Sequence, residues 1–556
     1  MGQYRPPCFG YTPPPELNGS PAARRPVAIV GAGPVGLAAA IDLATHGVPS
    51  VVLDDNDTVS TGSRAICWAK RTLEIFDRLG IGERAVAKGV TWGRGRVHRG
   101  DAEIYAFDLL PEGGHRMPAF INLQQYHVEE YLIERAADFP DLIELRWRNR
   151  VVGLRGDESG VELEVETPDG SYRALTDWVV AADGANSPVR HMLGLPFEGQ
   201  DFAERFLIAD VRTEAPFTNE RLFWFEPTFH AGESALLHRQ PDGIFRIDFQ
   251  LGPDADPILE RQPERVIPRV AAILGADTAF ELEWCSVYTF RCARLERLVH
   301  GRVIFAGDSA HVVSPFGARG GNGGIQDVDN LCWKLARVVR GRSPESLIES
   351  YDAERGHGAD ENIRNSARTT NFMTPKTPVE RLFRGAVLDL ASHAPFARAL
   401  VNAGRLSRPC SLAGHALQGE ADSGWPGAAP GETCPDAPVW DREGRPGWLL
   451  NHLGGDFALL CFVPDETGLA AVAAAKFGAE PRIVAIAERP LAAAGVAVLV
   501  DRDGLVRARY GARPGDAVLI RPDQHVAARF RPFDADAVLA ALKRASGCGD
   551  RDRVAA

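Results

Sequence analysis

Three glycines in the spacing Gly-x-Gly-x-x-Gly, Gly31, Gly33 and Gly36, directly follow the apolar run Val27 to Val30. A carboxylate, Asp54, closes the next apolar run, Ser50 to Leu53. Residues of these types at this spacing bind a dinucleotide. The first glycine makes a tight turn, the second lets the backbone approach a pyrophosphate, and the third lets helix and strand pack closely. The Ala-rich stretch Leu37 to Leu43 predicts a helix. Its free N–H groups and roughly half a positive charge would face the phosphates. An acid about 20 residues on can accept hydrogen bonds from an adenosine ribose. Arg64, in the loop from Ser60 to Ala65, is either a solvated loop charge or a phosphate clamp. Gln125 stands before an amphipathic helix over Val128 to Ala137, where it either caps the helix or bonds a cofactor.

A second constellation lies downstream. The apolar run Val303 to Ala306 leads into Gly307-Asp308, a loop from Pro315 to Gly324, and a helix from about Ile325 to Arg340. Strand, acid, glycine-rich loop and helix again place a helix N-terminus where it stabilises negative charge. Asp183 ends a further buried strand, Trp178 to Ala182. Between these signals, short alternating runs fill residues 206 to 250 and predict an antiparallel sheet, a layer separate from a parallel core. Its polar residues are candidates for contact with a substrate: His230, His238, Arg246 and Tyr288. His238 follows the apolar run Ala235 to Leu237, and a histidine titrates in the range useful for proton transfer, which makes it the first choice.

These residues need a large scaffold, and 556 residues with 45% hydrophobic content provide one. The net charge of -12 argues against a general nucleic-acid binder, which needs basic patches. No stretch approaches 18 apolar residues, so no membrane span is expected. Nine scattered cysteines show neither Cys-x-x-Cys nor zinc spacing, which predicts free thiols in a reducing cytoplasm and no metal site. The Pro-rich residues 1–26 read as a disordered tail. Residues 27–405 read as the dinucleotide-binding domain with the antiparallel sheet inserted at about 200–295. Residues 406–430 read as a linker, and 431–550 as a compact α/β domain. The fold class expected is therefore α/β, with a Rossmann-type core.

The three motifs Gly31 to Gly36, Asp183-Gly184, and Gly307-Asp308 with its loop stand in an order that resembles the class A FAD-dependent aromatic hydroxylases. That group includes p-hydroxybenzoate, phenol and 3-(3-hydroxyphenyl)propionate hydroxylases. The C-terminal domain resembles the thioredoxin-like appendage of the longer members, without a redox cysteine pair. The resemblance implies tight, non-covalent FAD, with NAD(P)H and O2 as co-substrates and a small phenolic substrate. It implies that Gly31, Gly33 and Gly36 hold the pyrophosphate, that Asp54 holds the ribose, and that Arg64, Gln125 and Asp183 bind the cofactor. Asp308 would meet the ribityl chain, Pro315 would sit beside the flavin, and the backbone at Gly320, Gly321 and Asn322 would face its pyrimidine end. Two positions depart from the family pattern. Asp54 replaces a common glutamate, and Arg319 stands where many members have glutamine.

The implied reaction is hydroxylation through a flavin C4a-hydroperoxide, with the hard chemistry on the cofactor. The protein would exclude water and orient the ring, and ideally deprotonate a phenol. Relatives doing epoxidation, Baeyer–Villiger or oxidase chemistry, and a non-catalytic FAD-binding scaffold, are the alternatives. A homodimer is compatible with the pattern.

Overall fold

The computed structural model describes residues 4–19, 23–62, 65–401, 407–475, 477–491 and 495–549. Three large sheets organise them. The first is built on short apolar runs rich in β-branched residues, Val27 to Val30, Val51 to Leu53, Trp178 to Ala181 and Val303 to Phe305, as a sheet covered on both faces requires. Its order is Val299–His300, Val303–Phe305, Gly170–Ala181, Arg25–Val30, Ser50–Leu53 and Ile143–Arg146. Arg25–Val30 lies parallel between Ser50–Leu53 and Gly170–Ala181, with Val30 beside both Leu53 and Ala181. The helices Pro34–Thr45 and Gly320–Val339 pack together against this sheet. All three strand ends singled out by the motifs, at Gly31, Asp183 and Gly307, therefore fall along one edge of it.

The second sheet is larger than expected. Its core strands are Glu198–Thr213, Arg221–Phe225, Ser234–Arg239, Ile244–Leu251 and Phe280–Arg294. Arg94–Arg99, Ala102–Asp108 and His311–Val312 extend it from outside the residues 200–295. The added hairpin joins because Arg221–Phe225 offers an edge that pairs in parallel with Arg94–Arg99. One face is apolar: Leu207, Ala209, Leu237, Phe245, Ile247 and Phe249 pack on Val266 and Val270 of the helix Pro263–Leu274.

The opposite face is read from the register, because side chains alternate along each strand. His238 is opposite Arg246, Arg246 opposite Asp210, and Asp210 opposite Trp284. These four form a polar row across the sheet. The next row holds Leu236, Asp248, Ile208 and Ser286. The row beyond it holds Gln250, Phe206 and Tyr288. The face thus grades from polar to aromatic.

The third sheet, near the C-terminus, is mixed. Ala458–Phe462, Arg482–Ala487 and Ala497–Val500 are parallel, and Ala517–Ile520 and Val526–Phe530 continue it antiparallel.

Two segments differ from expectation. Within the presumed tail, Tyr4 stacks on Tyr126 with centroids 3.9 Å apart and donates to Glu130 at 2.8 Å. Phe9 stacks on Trp147, and Phe9 N–H donates to Asp57 O at 2.6 Å. Aromatic residues among the prolines give this segment surfaces to bury, so it lies as a strap over the loop after Asp54. Residues 407–430 are not a solvated linker either. Leu412, Leu417, Trp425 and Ala428 are buried. Among the described residues, no helix is long and apolar enough to cross a membrane.

Candidate active site

At the first glycine turn, each glycine occupies a different steric setting. Gly31 has φ 103°, and a Cβ there would lie 2.5 Å from Ala182 O. A Cβ on Gly36 would lie 1.9 Å from Gly31 O, so only glycine permits this helix–strand contact. A Cβ on Gly33 would meet nothing within 4 Å. The turn therefore has an open cradle at its middle glycine. Asp54 Oδ2 accepts from Ala32 N at 2.5 Å, and Oδ1 accepts from Asn56 N at 2.8 Å. Burial nevertheless raises its pKa above the ordinary aspartate value. Asp183 accepts from Val189 N at 2.9 Å through Oδ2, while its buried Oδ1 has no partner. Burial raises this carboxyl as well.

The second glycine region closes onto the first through Val35. Cβ atoms on Gly307 and Gly324 would lie 2.9 and 2.7 Å from its methyl groups. Asp327, which the sequence reading missed, pins this junction. It accepts from Gly307 N at 3.0 Å, from His311 Nε2 at 2.7 Å and from Arg355 Nε at 2.7 Å. Burial alone would raise its pKa, but His311 and Arg355 hold it down to about 2. The signal was available: Asp327 is a charged residue in the middle of a helix, Gly320–Val339, that is buried over most of its length. Asp308 itself projects outward and is exposed.

In the loop, Pro315 is exposed between the buried Ser314 and Phe316. Ala318 has φ 53°, a left-handed conformation that strains a residue with a Cβ. A Cβ on Gly320 would touch only Val313 and Asp308, at 3.8 and 4.0 Å. A Cβ on Gly321 would press on Ala65 and Trp68 at 3.2 and 3.3 Å. Asn322 uses its side chain as a brace. Its Oδ1 accepts from Ala69 N at 2.9 Å, and its Nδ2 donates to Cys67 O at 2.8 Å and Ala318 O at 2.6 Å. Arg319 is buried and donates to Asn362 Oδ1 at 3.3 Å.

The Asn322 brace reaches the second sheet in two further steps. Cys67 Sγ and Trp92 Nε1 both contact Asn122 Oδ1, at 3.2 and 2.9 Å, and Asn122 Nδ2 donates to Arg239 O at 2.8 Å. Glycine loop and polar row are thereby tied together. Gln125 holds the loop before the brace: its Oε1 accepts from Ala65 N at 3.1 Å, and its Nε2 donates to Glu129. Glu129 in turn accepts from Ser60 N at 2.6 Å. Arg64 lies outside the described residues.

Of the substrate-side candidates, His238, Arg246 and Tyr288 share the polar-to-aromatic face. His230 does not join them. Its Nε2 contacts Gln250 O at 2.6 Å and its ring packs edge-on against Phe249, on the face covered by the helix Pro263–Leu274. The short helix Thr228–His230 before the strand turns it there. Arg246 is buried and makes two hydrogen bonds of 2.7 Å to Asp210. His238 is 3% exposed; its Nε2 lies 3.3 Å from Asp248 Oδ2, and its Nδ1 has no partner. Burial, then the charge of Arg221, lowers its pKa to about 4, so the ring is neutral near pH 7. Gln124 and Gln240, both 1% exposed, leave both amide atoms unpartnered.

A parallel sheet with two glycine-rich turns at one edge, joined to a second sheet with a polar face, defines a FAD-dependent flavoprotein of the two-sheet monooxygenase class. The chain belongs to the FAD binding domain family, whose model matches residues 24–366, and residues 431–545 match the HcaD C-terminal domain. It is 31% identical over 383 residues to a 3-(3-hydroxy-phenyl)propionate/3-hydroxycinnamic acid hydroxylase of Burkholderia cenocepacia, covering 67% of this chain and 68% of that one. It is 35% identical over 351 residues to the 6-methylpretetramide 4-monooxygenase of Streptomyces rimosus, covering 62% and 60%. The fold matches the flavin-dependent monooxygenase PieE, solved with FAD and substrate, with a TM-score of 0.78 at 22% identity over 95% of this chain and 100% of that one. The residues present fit FAD: an open cradle at Gly33, the Asp54 carboxylate at the next strand end, and an unpartnered oxygen on Asp183.

Proposed function

We propose that this protein is a single-component monooxygenase that hydroxylates a phenolic ring, using FAD, NAD(P)H and O2. The observation that carries the reading is the hydrogen-bonded link from the Asn322 loop through Cys67 and Asn122 to the polar face of the second sheet. Bound FAD supplies the redox chemistry. The chain's own residues do the rest. Gly31, Gly33 and Gly36 admit the pyrophosphate, Asp54 accepts from the ribose, and Asp183 and Asp308 offer carboxylate oxygens to the cofactor. Gln125 and Asn322 position the loops that Ala65 and Gly320 to Gly321 belong to. Pro315 stands beside Phe316, whose ring packs with Phe206 and Phe290. This aromatic floor excludes water beneath the reacting ring.

His238 handles the substrate hydroxyl. Asp248 beside Nε2 only accepts, so the ring proton resides on Nε2 and Nδ1 is left as an acceptor. A phenol O–H can donate there, which fixes the orientation of the hydroxyl and of the ring that carries it. Exposed apolar side chains at Val379, Leu382, Phe383 and Phe396 support a homodimer, and a cytoplasmic location fits the unpaired cysteines.

The test uses FAD-loaded protein and a panel of phenols. NAD(P)H oxidation, oxygen uptake, peroxide and hydroxylated product are followed together, with light scattering of the same sample for the oligomeric state. At least one phenol is expected to accelerate NAD(P)H oxidation and appear as hydroxylated product. Oxidation that ends entirely in peroxide with every phenol overturns the reading, and a monomeric particle removes the homodimer alone.

A further inference from the structure

No residue singled out for the site comes from the C-terminal domain, yet that domain holds the segment leading into one of the site's walls. Asn122, which ties the glycine loop to the second sheet, stands on the short strand Phe120–Asn122. This strand pairs with Cys67–Ala69 and Val90–Trp92, and Phe120 stacks on Trp92 with centroids 5.2 Å apart. The chain reaches it through residues 109–119, which form neither helix nor strand. Both ends of that segment are fixed within the flavin domain. Leu109 N donates to Gly93 O at 2.8 Å, and Ala119 O accepts from Lys70 N at 2.9 Å.

Between those ends, among the described residues, the backbone makes hydrogen bonds only to the C-terminal domain. Arg509 donates through Nη2 to Gly113 O and through Nη1 to Gly114 O, each at 2.6 Å. Arg116 N donates to Asp436 Oδ2 at 3.2 Å. Arg509 Nη2 also lies 3.2 Å from His115 Nε2. Burial and the charges of Lys70 and Arg509 lower the pKa of His115 to about 4, so its ring is neutral and Nε2 accepts. The base of this anchor is rigid. Arg509 stands on the helix Leu505–Tyr510, whose Val506 and Tyr510 are fully buried and whose first turn is capped by Asp501 through Val506 N and Arg507 N at 3.1 and 3.0 Å. Gly114, with φ 76°, packs on the same helix so closely that a Cβ would lie 2.6 Å from Leu505 Cδ2. A segment without a ladder of its own takes its path from whatever binds its carbonyls. A planar guanidinium holds two successive carbonyls at once, as a lysine cannot. Arg116 and the buried Met117 follow directly and lead into the strand of Asn122.

We propose that Arg509 is a positioning residue of the active site. By holding Gly113 and Gly114 it sets where Asn122 stands, and so makes the coupling of NAD(P)H oxidation to hydroxylation depend on the C-terminal domain. A misplaced tie between glycine loop and substrate sheet admits water and spoils the orientation of the ring. The activity readout of this inference rests on the hydroxylase reading; its structural readout does not.

The experiment uses FAD-loaded full-length protein and compares Arg509→Gln, Arg509→Lys and Gly114→Ala with Arg337→Gln. Arg337 donates to both oxygens of Glu480, at 3.0 and 2.7 Å, an interdomain contact that touches no residue of 109–119. Two quantities are read: amide hydrogen exchange in peptides covering Phe120–Asn122, and the share of consumed NAD(P)H that ends as peroxide with a hydroxylated phenol present. Arg509→Gln is expected to speed exchange there about tenfold, the loss of a charge-assisted contact. It is also expected to slow product formation about tenfold and raise the peroxide share, with flavin content unchanged. Gly114→Ala, which crowds the same contact from the other side, is expected to act in the same direction, and Arg509→Lys to recover part of the loss. Arg337→Gln is expected to lower the urea midpoint and move neither quantity. Wild-type exchange and wild-type coupling in both Arg509→Gln and Gly114→Ala overturn the proposal, as does faster exchange with coupling unchanged. Equal effects of Arg337→Gln on both quantities also overturn it, because they show general loosening of the domains. Should the wild type hydroxylate no phenol, the hydroxylase reading falls, and faster exchange confined to the Arg509 and Gly114 variants still supports the anchor.

Discussion

Where the helices Gly320–Val339 and Glu349–Met373 meet the C-terminal sheet, Lys334, Glu354, Arg521 and Asp523 are all fully buried. Each charge there is answered. Glu354 accepts from Lys334 Nζ at 2.7 Å and from Arg521 Nη1 and Nη2 at 2.7 and 3.0 Å, while Asp523 takes Arg521 Nε at 3.0 Å. Arg71 extends the network, bonding Asp329, Gln524 and the carbonyl of Asp523 at 2.8 Å each. On and beside the polar row of the second sheet, His238 and Gln240 are buried and Arg221 is half-buried, and atoms of all three have no hydrogen-bond partner. In the first cluster every charge has an ion-pair partner, with Arg71 Nε its one buried charged-group atom lacking a hydrogen bond, and the cluster joins the C-terminal sheet to the helices Gly320–Val339 and Glu349–Met373. The second leaves more of its polar atoms unmatched, the pattern expected of a site whose ligand would supply the partners. His238 and Lys334 are both buried, so depth does not tell the two sites apart; the share of polar atoms that have a partner does.

Breaking the satisfied cluster should have the largest effect. Arg521→Met takes the arginine from both Glu354, which keeps Lys334, and Asp523, and removing one partner of a buried pair costs about 3–5 kcal/mol. Urea unfolding should show a loss of that size. A loss under 1 kcal/mol would place the two clusters in the same category and void the comparison. A chain ending near Gly424 would take Arg521 from Glu354, and Gln524 and the Asp523 carbonyl from Arg71, so flavin retention without the residues beyond it is not expected.

A smaller effect comes from proton linkage at His238. Its folded pKa, about 4, lies below the ordinary 6.5. Between these values the unfolded chain binds the proton and the folded one does not, so stability is present above pH 6.5 and is lost as pH falls toward 4. From pH 7 to pH 5 this histidine should cost the wild type about 2 kcal/mol. In His238→Gln that share disappears, so the stability difference between variant and wild type should shift by this amount over the same interval. Parallel pH dependences in the two proteins would show that the ring is not held neutral.

The smallest expected effect has the opposite sign. Gln240→Leu removes two unpartnered polar atoms and should stabilise the protein by about 1 kcal/mol, while weakening substrate turnover. Destabilisation with unimpaired turnover would mean that the amide is a structural group.

The flavin cradle was legible in the sequence because its parts are local. Gly31 to Gly36 lie within one turn, and Asp54 ends the next strand. The polar row was legible only in pieces. Alternation in Ile244–Leu251 marks Arg246 as facing away from the core, but its partner Asp210 and its neighbour Arg221 are set by the register of separate strands. His230 was grouped with His238 by residue type, and a short helical turn sends it to the other face. The interdomain cluster did leave a trace, since Asp329, Asn330 and Lys334 interrupt the apolar stripe of one helix. Their partners, from Glu354 to Asp523, lie too far along the chain for spacing to connect them.

The position of Arg25–Val30 inside its sheet also bears on how the chain matures. This strand leaves the ribosome before either of its neighbours. One neighbour, Ser50–Leu53, follows soon after, but the other, Gly170–Ala181, arrives much later, and Val303–Phe305 must still dock beyond that. Parallel pairing over such separations is slow, because the loop must close before the contacts stabilise it. Through much of synthesis the Gly31 turn therefore borders an open strand edge, a state prone to mispairing. The dinucleotide cradle precedes in sequence the strands that complete it, and flavin loading must wait for residues beyond Gly307.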